Sequence, residues 1–387
     1  VGRGPGSVFE VSVSPAPTER FASAQFRIYI PDGVTRIRAI IIHQHGCGRQ
    51  GLSSATDVHW QALANKWASA LLGTRLTDRG TCSDWYNPAN GSLRALQTAL
   101  NDLGGKSGHP ELGAAPWVLW GHSGGSLWSS AVTNMLPERV IANFARSGPD
   151  SFSAGALLVP TALAAGVNDI ANLAPRTRST FATERPRGAL VALSIDPKSA
   201  HDIREGRFFA IPYLDAVLAQ RLPPSGNTLL PMNASRAWLG DNTTFNVTPA
   251  AMFPGSAQTA SWLPDENAAR KWAEFSKSGS ARDTTPPPVP TQLKALIEGA
   301  SVRLTWLAES DLEGGTQFFS IFRNGQRLAR VGNPFQAGNF GDEPEPANPK
   351  MEFIDTAPPG GAVTYEVTQT NFSNLESSRS PSAMVQR

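Results

Sequence analysis

A chain of 387 residues with 40% hydrophobic and 17% charged positions, 10 Trp and 18 Phe has the apolar surface for a real core. This excludes whole-chain disorder and favours two domains, or one large domain with an appendage. Its 34 basic and 32 acidic residues leave a net charge of +2 with no cluster of Lys and Arg, which argues against a nucleic-acid binder living on phosphate contacts.

In chain order, 26–30 alternate like a strand, and 39–42 (Ala-Ile-Ile-Ile) form the short apolar run of a strand buried on both faces. Trp60, Leu63, Ala64 and Trp67 recur at helical spacing, and Leu71-Leu72 starts another strand. Ser92 is the predicted N-cap of a helix carrying Leu93, Leu96, Leu100 and Leu103, with Gly104 as its stop. The run 117–120 (Trp-Val-Leu-Trp) is a strand, and Leu127, Ala131 and Met135 mark the helix after it. Apolar runs at 140–144, 161–164 and 189–193 complete the series. Alternating β and α units predict an α/β fold with a mainly parallel sheet covered by helices on both faces. Ligands of such sheets bind at the carboxyl ends of the strands. The stretch 205–282 predicts helices at 213–222 and 266–275 around a loop-rich segment with Trp238 and Trp262.

The longest apolar stretch, roughly 154–167, is broken by Pro160 and is shorter than the ~20 residues of a spanning helix, so no membrane span is predicted. The chain opens Val1-Gly2-Arg3-Gly4, without Met or a signal-like apolar core, so any targeting segment is expected to have been removed or never included. The clearest boundary is the proline-rich 283–290, a stiff spacer that divides 1–282 from an all-β region at 291–387. There 302–306, 318–322 and 364–368 read as strands, and Asn324-Gly325 is a two-residue hairpin signal. This tail resembles a fibronectin type III module, with Trp306 as core Trp and Tyr365 as corner Tyr.

Gly121-His122-Ser123-Gly124-Gly125 fits G-x-S-x-G between a strand and a helix, the context in which a sharp turn holds a serine clear of the sheet. On this motif residues 20–282 resemble an α/β-hydrolase, whose chain order is nucleophile, acid, histidine. Of six histidines only His201 follows Ser123, in the loop after the strand that ends near 195, and it is the expected base. Asp169, in Gly166-Val167-Asn168-Asp169, is the expected acid; Asp150, after the preceding strand, is its rival, and Asp196 reads as a turn residue. The resemblance implies an oxyanion hole made by the amide of Gly124 and one from the loop 43–48 (His-Gln-His-Gly-Cys-Gly), that of Cys47, with Gly46 as the alternative. That loop is similar to those of polyhydroxybutyrate depolymerases and of feruloyl and acetylxylan esterases. The Ser-Gly-Gly at the nucleophile departs from the Ser-Ala-Gly-Gly of many of them.

His43-x-His45 matches the first ligand pair of a metal hydrolase, but the remaining histidines do not complete a set, so no metal is expected. His45 then shapes the oxyanion loop or a substrate wall, and His122, beside the serine, is a candidate substrate-binding residue. Trp85, Tyr86 and Trp128 are candidates for an aromatic wall lining the substrate site, with core packing as the alternative. Cys47 and Cys82 fall in loops after neighbouring strands, either bonded at the edge of the site or as two buried thiols. A bond would suit a secreted or periplasmic protein. Asn90, Asn233, Asn242, Asn246 and Asn371 open Asn-x-Ser/Thr sites that matter only in a glycosylating host.

The reading is a cofactor-free serine carboxylesterase with Ser123, His201 and Asp169 as its triad, acting on a small or polymeric ester, polysaccharide-linked or polyester, outside the cell. The tail binds polymer or packs on the catalytic domain. A serine peptidase of the same fold and a non-catalytic binding protein are the alternatives.

Overall fold

The computed structural model describes residues 6–203, 205–332 and 351–387. The first part runs β1 (Ser7–Val13), β2 (Ser23–Ile30), β3 (Ile40–Gln44), α1 (Val58–Lys66), β4 (Ala70–Thr77), α2 (Ser83–Tyr86), α3 (Ser92–Ser107), β5 (Trp117–His122), α4 (Gly124–Met135), β6 (Val140–Arg146), β7 (Thr161–Gly166), α5 (Leu173–Glu184) and β8 (Val191–Asp196). Then come α6 (Arg207–Arg221), β9 (Trp238–Gly240), β10 (Val247–Pro249), β11 (Ser261–Leu263) and α7 (Glu266–Ser278).

β1 to β8 form one sheet in the order β1-β2-β4-β3-β5-β6-β7-β8. β2 is antiparallel to both neighbours, and the ladders from β4 through β8 are parallel. This is a mainly parallel sheet of the α/β class with an antiparallel edge. The apolar runs serve two faces at once, because side chains alternate along a strand. Ile41, Leu71, Val118 and Trp120 pack beneath α1, α6 and α7 with Trp60, Phe209, Tyr213 and Trp272. Ile40, Ile42, Leu72, Trp117 and Leu119 face α3 and α4 with Leu96, Leu100, Trp128 and Val132. Each fully buried side chain of this kind contributes about 1.5–3 kcal/mol. Parallel registry puts the carboxyl ends of β3, β5, β6, β7 and β8 along one edge, and the order reverses beside β3, which opens a crevice there.

Several local expectations shift. α3 begins after Gly91, which is in the left-handed region at φ 111°, and continues past Gly104 to a left-handed cap at Gly108. Ser92 does not cap it; its hydroxyl donates to the Trp85 carbonyl and accepts from Trp128 Nε1. α4 lies where its motif placed it, but Met135 is exposed and Leu127 and Ala131 only half-buried. The inner face is Ser126, Ser129, Trp128 and Val132, and the two small serines let the helix approach the sheet while Trp128 fills the core. Trp238 and Trp262 lie in the small antiparallel sheet β10-β9-β11 instead of in loops.

The C-terminal part comprises β12 (Thr291–Glu298), β13 (Ser301–Leu307), β14 (Phe318–Arg323), β15 (Gln326–Val331), β16 (Glu352–Asp355), β17 (Ala362–Thr370) and β18 (Ala383–Gln386). Sheets β12-β13-β16 and β15-β14-β17-β18 enclose one core of Val302, Leu304, Trp306, Phe319, Ile321 and Val367, so this is a small all-β domain. Asn324 and Gly325 both have positive φ, as a primed hairpin turn between β14 and β15 requires. Tyr365 donates to Asp355 Oδ2 at 2.7 Å, a carboxylate at the end of β16 and not a backbone carbonyl.

The β domain is seated on the helical layer. His59 of α1 bonds the Leu312 carbonyl at 2.9 Å, and Lys271 of α7 pairs with Glu313 at 2.9 Å. Asp283 is a buried anchor, bonded by the Asn371 amide at 2.9 Å; the same amide donates to Asp311 at 2.9 Å. No described helix is long and apolar enough to cross a membrane.

Candidate active site

The candidate site residues lie on the crevice side of the sheet. Ser123 sits between β5 and α4 at φ 55°, ψ −120°, a conformation that costs an L-residue of order 1–3 kcal/mol. Packing enforces it. A methyl on Gly125 would lie 2.2 Å from the Gln44 carbonyl oxygen, so only glycine lets α4 start this close to β3.

His201 lies five residues beyond β8, and its Nε2 is 2.9 Å from Ser123 Oγ. Its Nδ1 is 2.6 Å from Asp169 Oδ1, three residues beyond β7. A carboxylate can only accept, so Nδ1 carries the proton and Nε2 offers its lone pair to the serine. Asp169 Oδ1 also accepts from the Ile170 amide at 2.9 Å, and Oδ2 accepts from Ser147 Oγ at 2.5 Å and the Gly166 amide at 3.3 Å. Burial pushes this carboxyl up, but the bonds from His201 and Ser147 outweigh it and hold it below its ordinary value. Asp150 is exposed and accepts from its own neighbour Ser151; Asp196 is buried, 3.7 Å from Arg146. Neither is among the partners of His201.

Two residues that the sequence pattern did not single out hold this arrangement. Ser147, at φ 59°, fixes Asp169. Arg146, fully buried at the end of β6, donates from Nε to the Asp202 carbonyl at 2.8 Å and from Nη2 to Ser199 Oγ at 2.7 Å. It thereby grips the loop on both sides of His201. Downstream, Arg207 at the start of α6 pairs with Asp57, the N-cap of α1, at 2.6 Å, with both side chains 2% exposed. Breaking such a pair costs about 3–5 kcal/mol. The available signal for Arg146 and Ser147 was their place, polar residues at the carboxyl end of a buried strand.

The loop after β3 passes over the serine: a methyl on Gly46 would lie 3.3 Å from Ser123 Cβ. Cys47 and Cys82 are disulfide-bonded, with Cα atoms 5.6 Å apart. Both sulfurs rest on Gly124, where a methyl would come within 2.6 and 2.9 Å of them. The bond joins the loop carrying Cys47 and Gly46 to Cys82, just before α2, and packs on the first residue of α4, so the two expected oxyanion-hole segments lie side by side.

The aromatic wall is overturned. Trp85 and Trp128 are 0% and 1% exposed and belong to the core under α3 and α4. Trp85 packs against His45 at 4.8 Å, and Tyr86 lies at the edge of the same core. His45 is equally buried and forms no substrate wall; its Nε2 accepts from the Leu76 amide at 2.7 Å and its Nδ1 reaches the Gly46 carbonyl at 2.6 Å. It braces the loop against β4. His43 is sealed between Trp60 and Trp120, where burial and nearby Arg207 hold its pKa well below the ordinary value. His122 is 5% exposed, with its ring 4.8 Å from that of His201.

No protein-family model matches the chain, and no curated protein does. Among solved structures it is similar to a poly(3-hydroxybutyrate) depolymerase from Bordetella parapertussis, at 17% identity over 57% of this chain and 92% of the other, with a TM-score of 0.39. A poly(aspartic acid) hydrolase from Sphingomonas sp. KT-1 shares 15% over 51% and 94%, at 0.37. A feruloyl esterase module from Clostridium thermocellum shares 13% over 51% and 82%, at 0.36. Likenesses at this level leave the chemistry to the residues described above.

Proposed function

We propose that this chain is a serine carboxylesterase that works through Ser123, His201 and Asp169 and an acyl-enzyme. The observation that carries the proposal is the continuous relay of 2.9 Å from serine to imidazole and 2.6 Å from imidazole to carboxylate. Ser123 Oγ attacks the ester carbonyl while His201 Nε2 takes its proton. The Gly124 and Cys47 amides receive the oxyanion. His201 then protonates the departing alcohol, activates water, and the acid leaves. Asp169 keeps the imidazole in the tautomer that can accept at Nε2.

The catalytic unit is taken as 1–282, the linker as 283–290, and 291–387 as a fibronectin type III-like domain, supported by its two-sheet sandwich around Trp306. The Cys47–Cys82 bond favours an oxidising, extracellular or periplasmic setting, where an ester on a polymer is the fitting substrate. Hydrolysis of p-nitrophenyl butyrate tests the proposal. Ser123→Ala is expected to lower kcat by on the order of 10⁴–10⁶. Full activity in that variant, or a wild type that turns over peptide amides and no esters, overturns it.

A further inference from the structure

The opposite end of the sheet holds a second cavity, of about 610 Å³. It lies at the amino ends of the strands. Leu158 lies three residues before β7 and Leu190 directly before β8, and Arg221 ends α6, bonding the Val140 carbonyl at the start of β6. Six-residue strands separate it from the Ser123 end by about 20 Å. Its size is that of small-molecule sites, and its walls are mostly apolar, including Leu230, Met232 and Trp262.

Two cations interrupt that apolar lining. Arg185 and Arg221 are each 8% exposed. Arg185 donates to the carbonyls of Ala260 and Ala189, and Arg221 to those of Leu230, Val140 and Ile141. All five bonds run through Nε and Nη1. Neither guanidinium forms an ion pair among the described residues, and no carboxylate lines the cavity. Burial pulls both below their ordinary pKa, Arg221 to about 10; a guanidinium keeps its charge at neutral pH in proteins. Two buried positive charges balanced only by carbonyl dipoles are costly, and an anion is the complement they lack. A guanidinium fork matches a carboxylate, and the surrounding walls match a hydrocarbon tail.

We propose that this cavity binds a carboxylic acid with an apolar tail, its carboxylate on the Nη2 donors of Arg185 and Arg221 and its chain against Leu230, Met232 and Trp262. Commitment to this class rests on charge complementarity with an apolar lining; an inorganic anion would leave the walls unfilled, and a neutral lipid would leave the cations unpaired. The site does not depend on the chemistry at Ser123.

Calorimetric titration of the full chain with octanoate tests this, with acetate, octanol and inorganic phosphate as comparators. Octanoate is expected to bind one to one at this site and at least about tenfold more tightly than any comparator. Arg185→Gln should weaken binding by about tenfold or more. Leu158→Glu places an anion at the rim on a side chain 68% exposed, leaves folding untouched, and should weaken octanoate similarly while sparing octanol. Octanoate affinity that is absent, matched by acetate or octanol, or unchanged in Leu158→Glu overturns the proposal. Folding of each variant is checked by its melting temperature.

Discussion

Opening the Cys47–Cys82 bond separates two consequences that the site joins. The bond closes a loop with a sequence separation of 35, for which the chain-entropy relation gives about 4 kcal/mol of stabilisation. For a catalytic unit of this size that corresponds to a fall in melting temperature of roughly 10 °C. The same bond rests on Gly124 and holds the loop that passes over Ser123, so its loss also loosens one side of the expected oxyanion hole. Complete loss of one such donor costs on the order of 10²–10³ in kcat, and a loosened donor costs part of that, about tenfold to hundredfold. KM should change little, because the donor acts on charge that develops in the transition state. The assay is p-nitrophenyl butyrate kinetics and thermal unfolding of Cys82→Ser beside wild type, with and without reductant. Reductant should bring wild type to the level of the variant and leave the variant unchanged. A variant that melts within about 2 °C of wild type with unaltered kcat refutes the role assigned to the bond.

Ser147→Ala removes the hydroxyl that donates to Asp169 Oδ2, and kcat/KM is expected to fall about tenfold, with Ser147→Gly equally impaired. Unchanged ester hydrolysis in both would show that Ser147 does not position the acid. Because the folded pKa of Asp169 lies below 3.8, its contribution to stability is present above that value and is lost as pH falls through the folded one; Ser147→Ala should shift this loss to higher pH in acid unfolding curves. At the domain seam the sign reverses. Burial first, and then its bond to Asp283, push Asp311 up to about 7, with Asn371 and Lys271 as the other polar neighbours of this acid pair. Its contribution is complete below 3.8 and lost as pH rises through about 7, so Asp311→Asn should flatten the pH dependence of the urea midpoint across that window. An unaltered slope would show that Asp311 is not the titrating group.

The fold and the core of the candidate site were legible because they are written locally. Buried strands appear as short apolar runs such as 39–42 and 117–120, and the steric demands of the turn around Ser123 leave glycine at 121, 124 and 125. His201 was reachable because no other histidine follows Ser123. The aromatic residues were not. Trp85 and Trp128 flank the motif in sequence, yet whether an indole lines a crevice or fills a core depends on which neighbours cover it, here α3, the disulfide and Ser92. Ser147 and Arg146 carried only the signal of their place at a strand end, and their roles were not legible, since each acts across a gap of 22 residues or more in the chain, on Asp169 and Ser199.

The sequence by itself determined the α/β class and the strand–turn–helix that presents Ser123, because backbone sterics and apolar periodicity act over a few residues. Only the tertiary structure decided which acid faces His201, that Cys47 and Cys82 meet, that His45 braces a loop instead of lining a site, and that Arg185 and Arg221 share a cavity. Those outcomes are distances between segments remote in the chain, set by how sheet and helices pack, and no local pattern encodes a distance.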